Sequence, residues 1–310
     1  MTPITRVICA NFIVILLQRQ NAQKNKKCIN ELNTIGYTYL FIRVSFYLSK
    51  MAAAANTTIT ITKDSIRRVL SDVREIMTCP LTDSGIYYVH DEEDVLLGHA
   101  MLYGMPGTIY AGGYYFFRIK FPPDYPHAPL TVTFLTNDGI TRMHPNFYKT
   151  GYVCLSILNN WKGEQWTGCL TLKSVLLTMV SIMDEKPLLH EPGVRETHAD
   201  FLPYHRIIEY KTIEFACCRL LNDADFNRYI SLPDACRSYF YAQMRELFKT
   251  NRDRIIERAR ALKDKYAPTP TPTPNTTTAP TSNLLSVAIY GMHSVLNYDA
   301  LVEMATNAYV

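Results

Sequence analysis

Four β-rich runs, Gly85–His90, Val95–Tyr103, Tyr114–Phe121 and Leu130–Leu135, follow one another closely and constrain the fold more than any other feature of the chain. Turn signals separate them: an acidic DEED at 91–94, GMPG at 104–107, a glycine pair at 112–113 and the proline-rich PPDYPHAP at 122–129. Short consecutive strands joined by turns this tight predict an antiparallel meander. A meander has two faces to cover, and flanking helices are the expected cover, which makes the fold α+β.

Helical periods stand on both sides of the meander. Ile66, Val69, Leu70, Val73, Ile76 and Met77 lie on one face of a helix that Thr62 or Asp64 caps and Cys79-Pro80 stops. Leu172, Val175, Leu176, Met179, Ile182 and Met183 repeat that stripe in a central helix ended by Pro187. Between the meander and this helix, residues 136–168 read as one long irregular loop, a length that marks function in a compact domain. Beyond Pro203 come helical stretches at 205–222 and 234–265, the second with a weak point at Thr250-Asn251. The expected organisation is an N-terminal extension at 1–55, a domain with a helical C-terminal extension at 60–265, a Pro/Thr-rich linker at 266–283, and a C-terminal tail at 284–310. The tail is expected to be weakly ordered, with a short docking helix as the alternative. Met51 followed by AAAANTT suggests a natural start there. The apolar stretch Val7–Leu17 is too short for a helical span, which takes about 20 residues.

Composition narrows the function classes. A formal net charge of +4 on 310 residues gives no warrant for nucleic acid or a membrane as partner, so function must come from a site. The chain has 8 cysteines, none in a CxxC pair or a zinc-ligand spacing with histidine, so no metal is expected. Their scatter suits reduced thiols in the cytoplasm or nucleus.

The long loop carries the motif. His144-Pro145-Asn146 precedes Cys154 within HPNFYKTGYVCLSIL. This resembles the active-site signature of ubiquitin-conjugating enzymes: an HPN tripeptide, a glycine, then a cysteine opening a CL-x-IL segment. PPDYPHAPLTVTF at 122–134, Trp166 ahead of the central helix, and His190-Glu191-Pro192 after it agree in register, and the resemblance covers about residues 63–195. It implies the fold of that family: N-terminal helix, four-stranded antiparallel meander, active-site loop, central helix and C-terminal helices.

The resemblance also implies the chemistry. Cys154 would accept ubiquitin or a ubiquitin-like protein as a thioester from an activating enzyme. ATP is consumed by that enzyme, so no cofactor is needed here. Exchange between thioesters is nearly energy-neutral, so Cys154 is expected to be exposed and reachable rather than strongly activated. A lone cysteine in such a composition is usually a buried filler; the neighbouring HPN, Gly151 and CLSIL point the other way. Attack by a lysine amine then builds an oxyanion that the Asn146 amide would stabilise, unless that amide chiefly holds the loop. His144 and Pro145 are expected to shape the turn, with Trp166 a further structural residue. Glu191, or His190 in its place, would orient the incoming amine, and Tyr148 packs or lines the cleft. By the same resemblance, Lys63, Arg67 and Arg68 would dock the activating enzyme, and Pro126, His127, Thr167 and Gly168 would meet a ubiquitin ligase. The chain departs from the common pattern at Ser156, at His127, at Thr167-Gly168-Cys169 and in a longer stretch between Cys154 and Trp166. Two other readings stand beside the carrier: a non-catalytic module of the same fold that binds ubiquitin or a ligase, and a cysteine hydrolase with a histidine base. The retained cysteine argues against the first, and the lack of a nucleophile-bearing helix start against the second.

Overall fold

The computed structural model describes residues 61–266 and 284–308. The expected N-terminal extension at 1–55, the expected natural start at Met51, and the Pro/Thr-rich stretch after Tyr266 lie outside the described residues.

Helix α1 (Lys63–Thr78) is capped by Thr62, whose hydroxyl accepts the Ser65 N–H at 3.0 Å, and it buries Ile66, Val69, Val73 and Ile76. The meander follows: β1 (Ile86–His90), β2 (Leu97–Tyr103), β3 (Tyr114–Lys120) and β4 (Thr131–Phe134), hydrogen-bonded antiparallel in the order β1-β2-β3-β4. β2 starts at Leu97 rather than Val95 because the Asp91 and Asp94 carboxylates accept the Glu93, Asp94 and Leu96 N–H groups at 2.8–2.9 Å and hold the turn.

Tyr114, Tyr115, Phe116 and Phe117 in β3 are all fully buried, so both faces of the sheet are covered. On one face Phe116 meets Phe226 and Phe240 edge-on. On the other, Phe117 packs against Phe134 and Phe147, the latter in the long loop. The sheet thus supplies the floor of the loop that carries Cys154.

The central helix α2 (Leu172–Ile182) starts in a capping box of Thr171 and Ser174. Asp72, 3 % exposed, ties it to α1: its carboxylate accepts from the Leu172 N–H at 3.0 Å, from Arg68 Nε at 2.8 Å and from the Tyr125 hydroxyl. One buried carboxylate therefore joins two helices to the proline-rich turn. Charge-assisted bonds of this kind offset its desolvation.

Helix α3 runs from Phe201 to Lys211 and continues through a π turn (Thr212–Cys218) and a 3₁₀ turn (Arg219–Leu221). It begins before Pro203, which a first turn tolerates because N–H groups there have no intrahelical acceptor. Asn222 caps a separate short helix α4 (Asp223–Tyr229). Helix α5 (Asp234–Tyr266) runs unbroken through Thr250-Asn251, whose side chains bond the Glu246 and Leu247 carbonyls at 2.9 Å.

The C-terminal segment corrects the expectation of a weakly ordered tail. Residues Leu284–Val287 (β5) and Met292–Val295 (β6) form an antiparallel hairpin, and Tyr298–Asn307 form helix α6. The segment folds back on its own domain. Tyr298 stacks on Tyr266 and accepts from Arg206 Nε at 2.9 Å, Arg252 donates to the Thr306 carbonyl at 2.6 Å, and Val287, Met292, Leu296 and Leu301 are buried. Among the described residues no helix is long and apolar enough to cross a membrane.

Candidate active site

The HPN turn is built around a fully buried histidine. His144 Nδ1 accepts the Asn146 N–H at 2.9 Å, and its Nε2 bonds the Ile182 carbonyl, a free acceptor at the end of α2, at 2.9 Å. The ring packs on Phe147 with centroids 4.8 Å apart. Burial pushes its pKa down to about 3, so the imidazole is neutral. With both nitrogens committed and no solvent access, His144 shapes the loop and is not placed to exchange a proton. Pro145 is buried beside it.

Asn146 brackets the cysteine. Its carbonyl accepts the Cys154 N–H at 2.9 Å, and its side-chain Nδ2 donates to the Cys154 carbonyl at 2.7 Å. The amide expected over the sulfur is therefore turned onto the main chain, in the loop-holding arrangement, while its Oδ1 is buried without a partner. Gly151 makes the return possible. Its φ of 87° suits glycine, and a Cβ there would stand 3.1 Å from the Phe134 carbonyl.

The sulfur is less open than expected. Cys154 is 4 % exposed, and its thiol donates to the Asn160 carbonyl at 3.3 Å. The cause lies in the longer stretch before Trp166. Asn160 folds over the cysteine, with Oδ1 accepting the Leu155 N–H at 2.8 Å and Nδ2 donating to the Val153 carbonyl at 2.9 Å. Asn159, left-handed at φ 59°, accepts the Trp166 N–H at 2.7 Å and closes the loop. The cover is thin, since Tyr152 and Asn159 on either side are exposed. Burial raises the thiol's pKa; the Arg142 guanidinium opposes this and the Glu191 carboxylate adds to it.

Arg142 was not singled out by the sequence, yet it organises this corner. It donates to the His144 carbonyl at 3.3 Å and to the Pro145 carbonyl, and lies 3.4 Å from the Tyr148 ring centroid. Tyr148 is thus a packed aromatic. Glu191 follows the 3₁₀ turn Pro187–His190 and accepts a hydrogen bond from the Tyr290 hydroxyl at 2.7 Å. His190 instead pairs with Asp184 at 2.8 Å.

The residues expected to dock partners divide. Trp166 is buried, and its indole N–H donates to the Pro126 carbonyl at 2.7 Å; this bond sets Pro126 and the exposed His127 beside the exposed Thr167 and Gly168. The four form one patch. Lys63 and Arg67 are exposed on α1, with Arg67 paired to Asp64 at 3.2 Å. Arg68 is engaged inside the molecule. Its guanidinium donates to Asp72 at 2.8 Å and to the Gly168 and Leu170 carbonyls at 2.7 Å each, and it lies over the Tyr125 ring. It braces α1 against the loop that leads into α2.

Residues 68–210 match the family model for ubiquitin-conjugating enzymes. The chain is 36 % identical to ubiquitin-conjugating enzyme E2 Z of Xenopus tropicalis over 186 residues, 59 % of this chain and 57 % of the relative. It is 37 % identical to the enzyme of that name from Homo sapiens over 157 residues, 50 % of this chain and 44 % of the relative. A probable ubiquitin-conjugating enzyme E2 24 of Arabidopsis thaliana is 42 % identical over 113 residues, 35 % of this chain and 12 % of the relative. The chain thus spans about half the length of the E2 Z relatives. In its meander, in the HPN turn closed on Cys154 and in the match over 68–210, this part of the chain is similar to the ubiquitin-conjugating enzymes.

Proposed function

We propose that the chain is an active ubiquitin-conjugating enzyme carrying ubiquitin, or a ubiquitin-like protein, on Cys154. The observation that carries this reading is the closure of the HPN turn on the cysteine, with Asn146 bonded to both its N–H and its carbonyl. In the first step the Cys154 thiolate attacks the modifier's C-terminal thioester on an activating enzyme. One C–S bond forms, another breaks, and the activating enzyme's thiol leaves with a proton. ATP is spent upstream, so this chain needs no cofactor. Before attack the thiol must leave the Asn160 carbonyl, so the Asn159–Trp166 loop has to yield.

In the second step a neutral lysine amine attacks the thioester carbonyl, a C–N bond forms, the C–S bond breaks, and the proton shed by the nitrogen passes through solvent to the departing Cys154 thiolate. Asn146 reaches the oxyanion by trading the Cys154 carbonyl for it, and one such donor contributes ~10²–10³ in rate. Glu191 orients the amine. Lys63 and Arg67 dock the activating enzyme by complementary charge, and the Pro126, His127, Thr167 and Gly168 patch receives a ligase. The chain acts in the cytoplasm or nucleus, with no nucleic acid or membrane as partner. Incubation with ubiquitin, ATP and an activating enzyme tests the reading. The expected product is an adduct removed by reductant and lost in Cys154→Ala; absence of any adduct with every modifier and activating-enzyme pair overturns it.

A further inference from the structure

The C-terminal hairpin lies beyond residues 68–210, the part matched by the family model, yet its turn sits against the active-site loop. Four contacts fix it there. The buried Asp200 carboxylate, at the start of α3, accepts the Ala288 and Ile289 N–H groups at 3.0 and 2.8 Å. Lys149 Nζ approaches the Tyr290 carbonyl at 3.5 Å. The Tyr290 ring packs edge-on against Tyr204, itself bonded through its hydroxyl to the Arg142 and Met143 carbonyls. The Arg142 guanidinium lies 4.9 Å from the Tyr290 ring centroid, on the guanidinium that also faces Tyr148. From this seat the Tyr290 hydroxyl reaches back 99 residues to donate to Glu191 Oε2 at 2.7 Å. Burial and the adjoining carboxylate hold the phenol protonated, so it stays a donor.

We propose that Tyr290 is a positioning residue for lysine discharge: the C-terminal hairpin completes the active site by fixing the Glu191 carboxylate that orients the incoming amine. Glu191 follows a single 3₁₀ turn and precedes the exposed Pro192-Gly193, so little else in its own segment holds its side chain. The carboxylate is held by a phenol supplied from the far end of the chain. The inference rests on the carrier reading above and deepens its second step.

The test uses the full chain, charged to completion with ubiquitin, freed of ATP, and chased with free lysine at a series of concentrations. Tyr290→Phe keeps the ring against Arg142 and Tyr204 and deletes only the donor. It is expected to lower the maximal discharge rate about tenfold, the worth of one hydrogen bond to a charged group, with the half-saturating lysine concentration unmoved. In a Glu191→Gln background the same substitution is expected to change nothing further, because a residue acting through another is non-additive with it. Deleting residues 284–310 should slow discharge at least as much. A charged Tyr290→Phe chain that discharges at the wild-type rate overturns the inference alone, as do losses that multiply in the double variant. A wild-type chain that never charges overturns the carrier reading and this inference together.

Discussion

Asn160→Ala should unmask Cys154. The Asn160 side chain makes two bonds that straddle the cysteine, to the Leu155 N–H at 2.8 Å and the Val153 carbonyl at 2.9 Å, and they place its own carbonyl on the thiol. Each neutral bond contributes ~0.5–1.5 kcal/mol, so losing both shifts the closed-to-open balance of the loop by ~1–3 kcal/mol, roughly 5- to 150-fold. Opening also relieves the burial that raises the thiol's pKa, so the thiolate fraction at pH 8 rises with exposure. The assay is alkylation by iodoacetamide, followed per cysteine by peptide mass spectrometry. The exposed Cys79 and Cys169 provide internal references in the same tube. Cys154 should react more slowly than both in the wild type and accelerate at least fivefold in the variant while the references hold their rates. An unchanged ratio of Cys154 to Cys169 reactivity would refute the idea that Asn160 is the cover.

Three further outcomes follow from the same geometry. His144 has its folded pKa lowered to about 3, below the unfolded value of about 6.5. Its contribution is therefore complete above pH 6.5 and is lost as the pH falls from there toward 3, by at most ~1.4 kcal/mol per unit; urea unfolding between pH 7 and 4.5 should show that decline, and His144→Gln should flatten it. Asp72→Ala removes one partner from a buried cluster of Arg68, Tyr125 and the α2 start and should cost ~3–5 kcal/mol in denaturant unfolding. Lys63→Glu with Arg67→Glu should slow charging in a salt-dependent way while leaving the melting temperature close to wild type, whereas Arg68→Ala should lower the melting temperature, since its donors are spent inside the molecule.

What the sequence made legible is what periodicity and turn chemistry control. The β-rich runs and tight turns predicted the four antiparallel strands, the stripe at Ile66–Ile76 and at Leu172–Met179 predicted the two helices that stand on either side of the meander, and HPN ahead of Cys154 marked the candidate site. What stayed hidden depends on distant partners. Asn160 covers the sulfur only because the loop folds back, and an asparagine in a polar stretch carries no such signal. Arg68 looks like any basic residue on a helix face until the Gly168 and Leu170 carbonyls arrive a hundred residues later. The Met292–Val295 strand is too short to stand alone and draws its order from pairing with Leu284–Val287, which itself packs on α3, and local pattern cannot encode that. Arg142 and Tyr290 belong to the site through stacking and a single long-range bond, so no motif could have named them.

The claim on which the rest depends is that one particular sulfur carries the modifier, and Cys154→Ser tests it most directly. Offered ubiquitin, ATP and an activating enzyme, the serine chain should accumulate an oxyester that survives thiol reductants and is cleaved by mild alkali, with the modifier mapped to residue 154. A reductant-sensitive adduct persisting in that variant, or a stable one mapped to a lysine, would contradict the account.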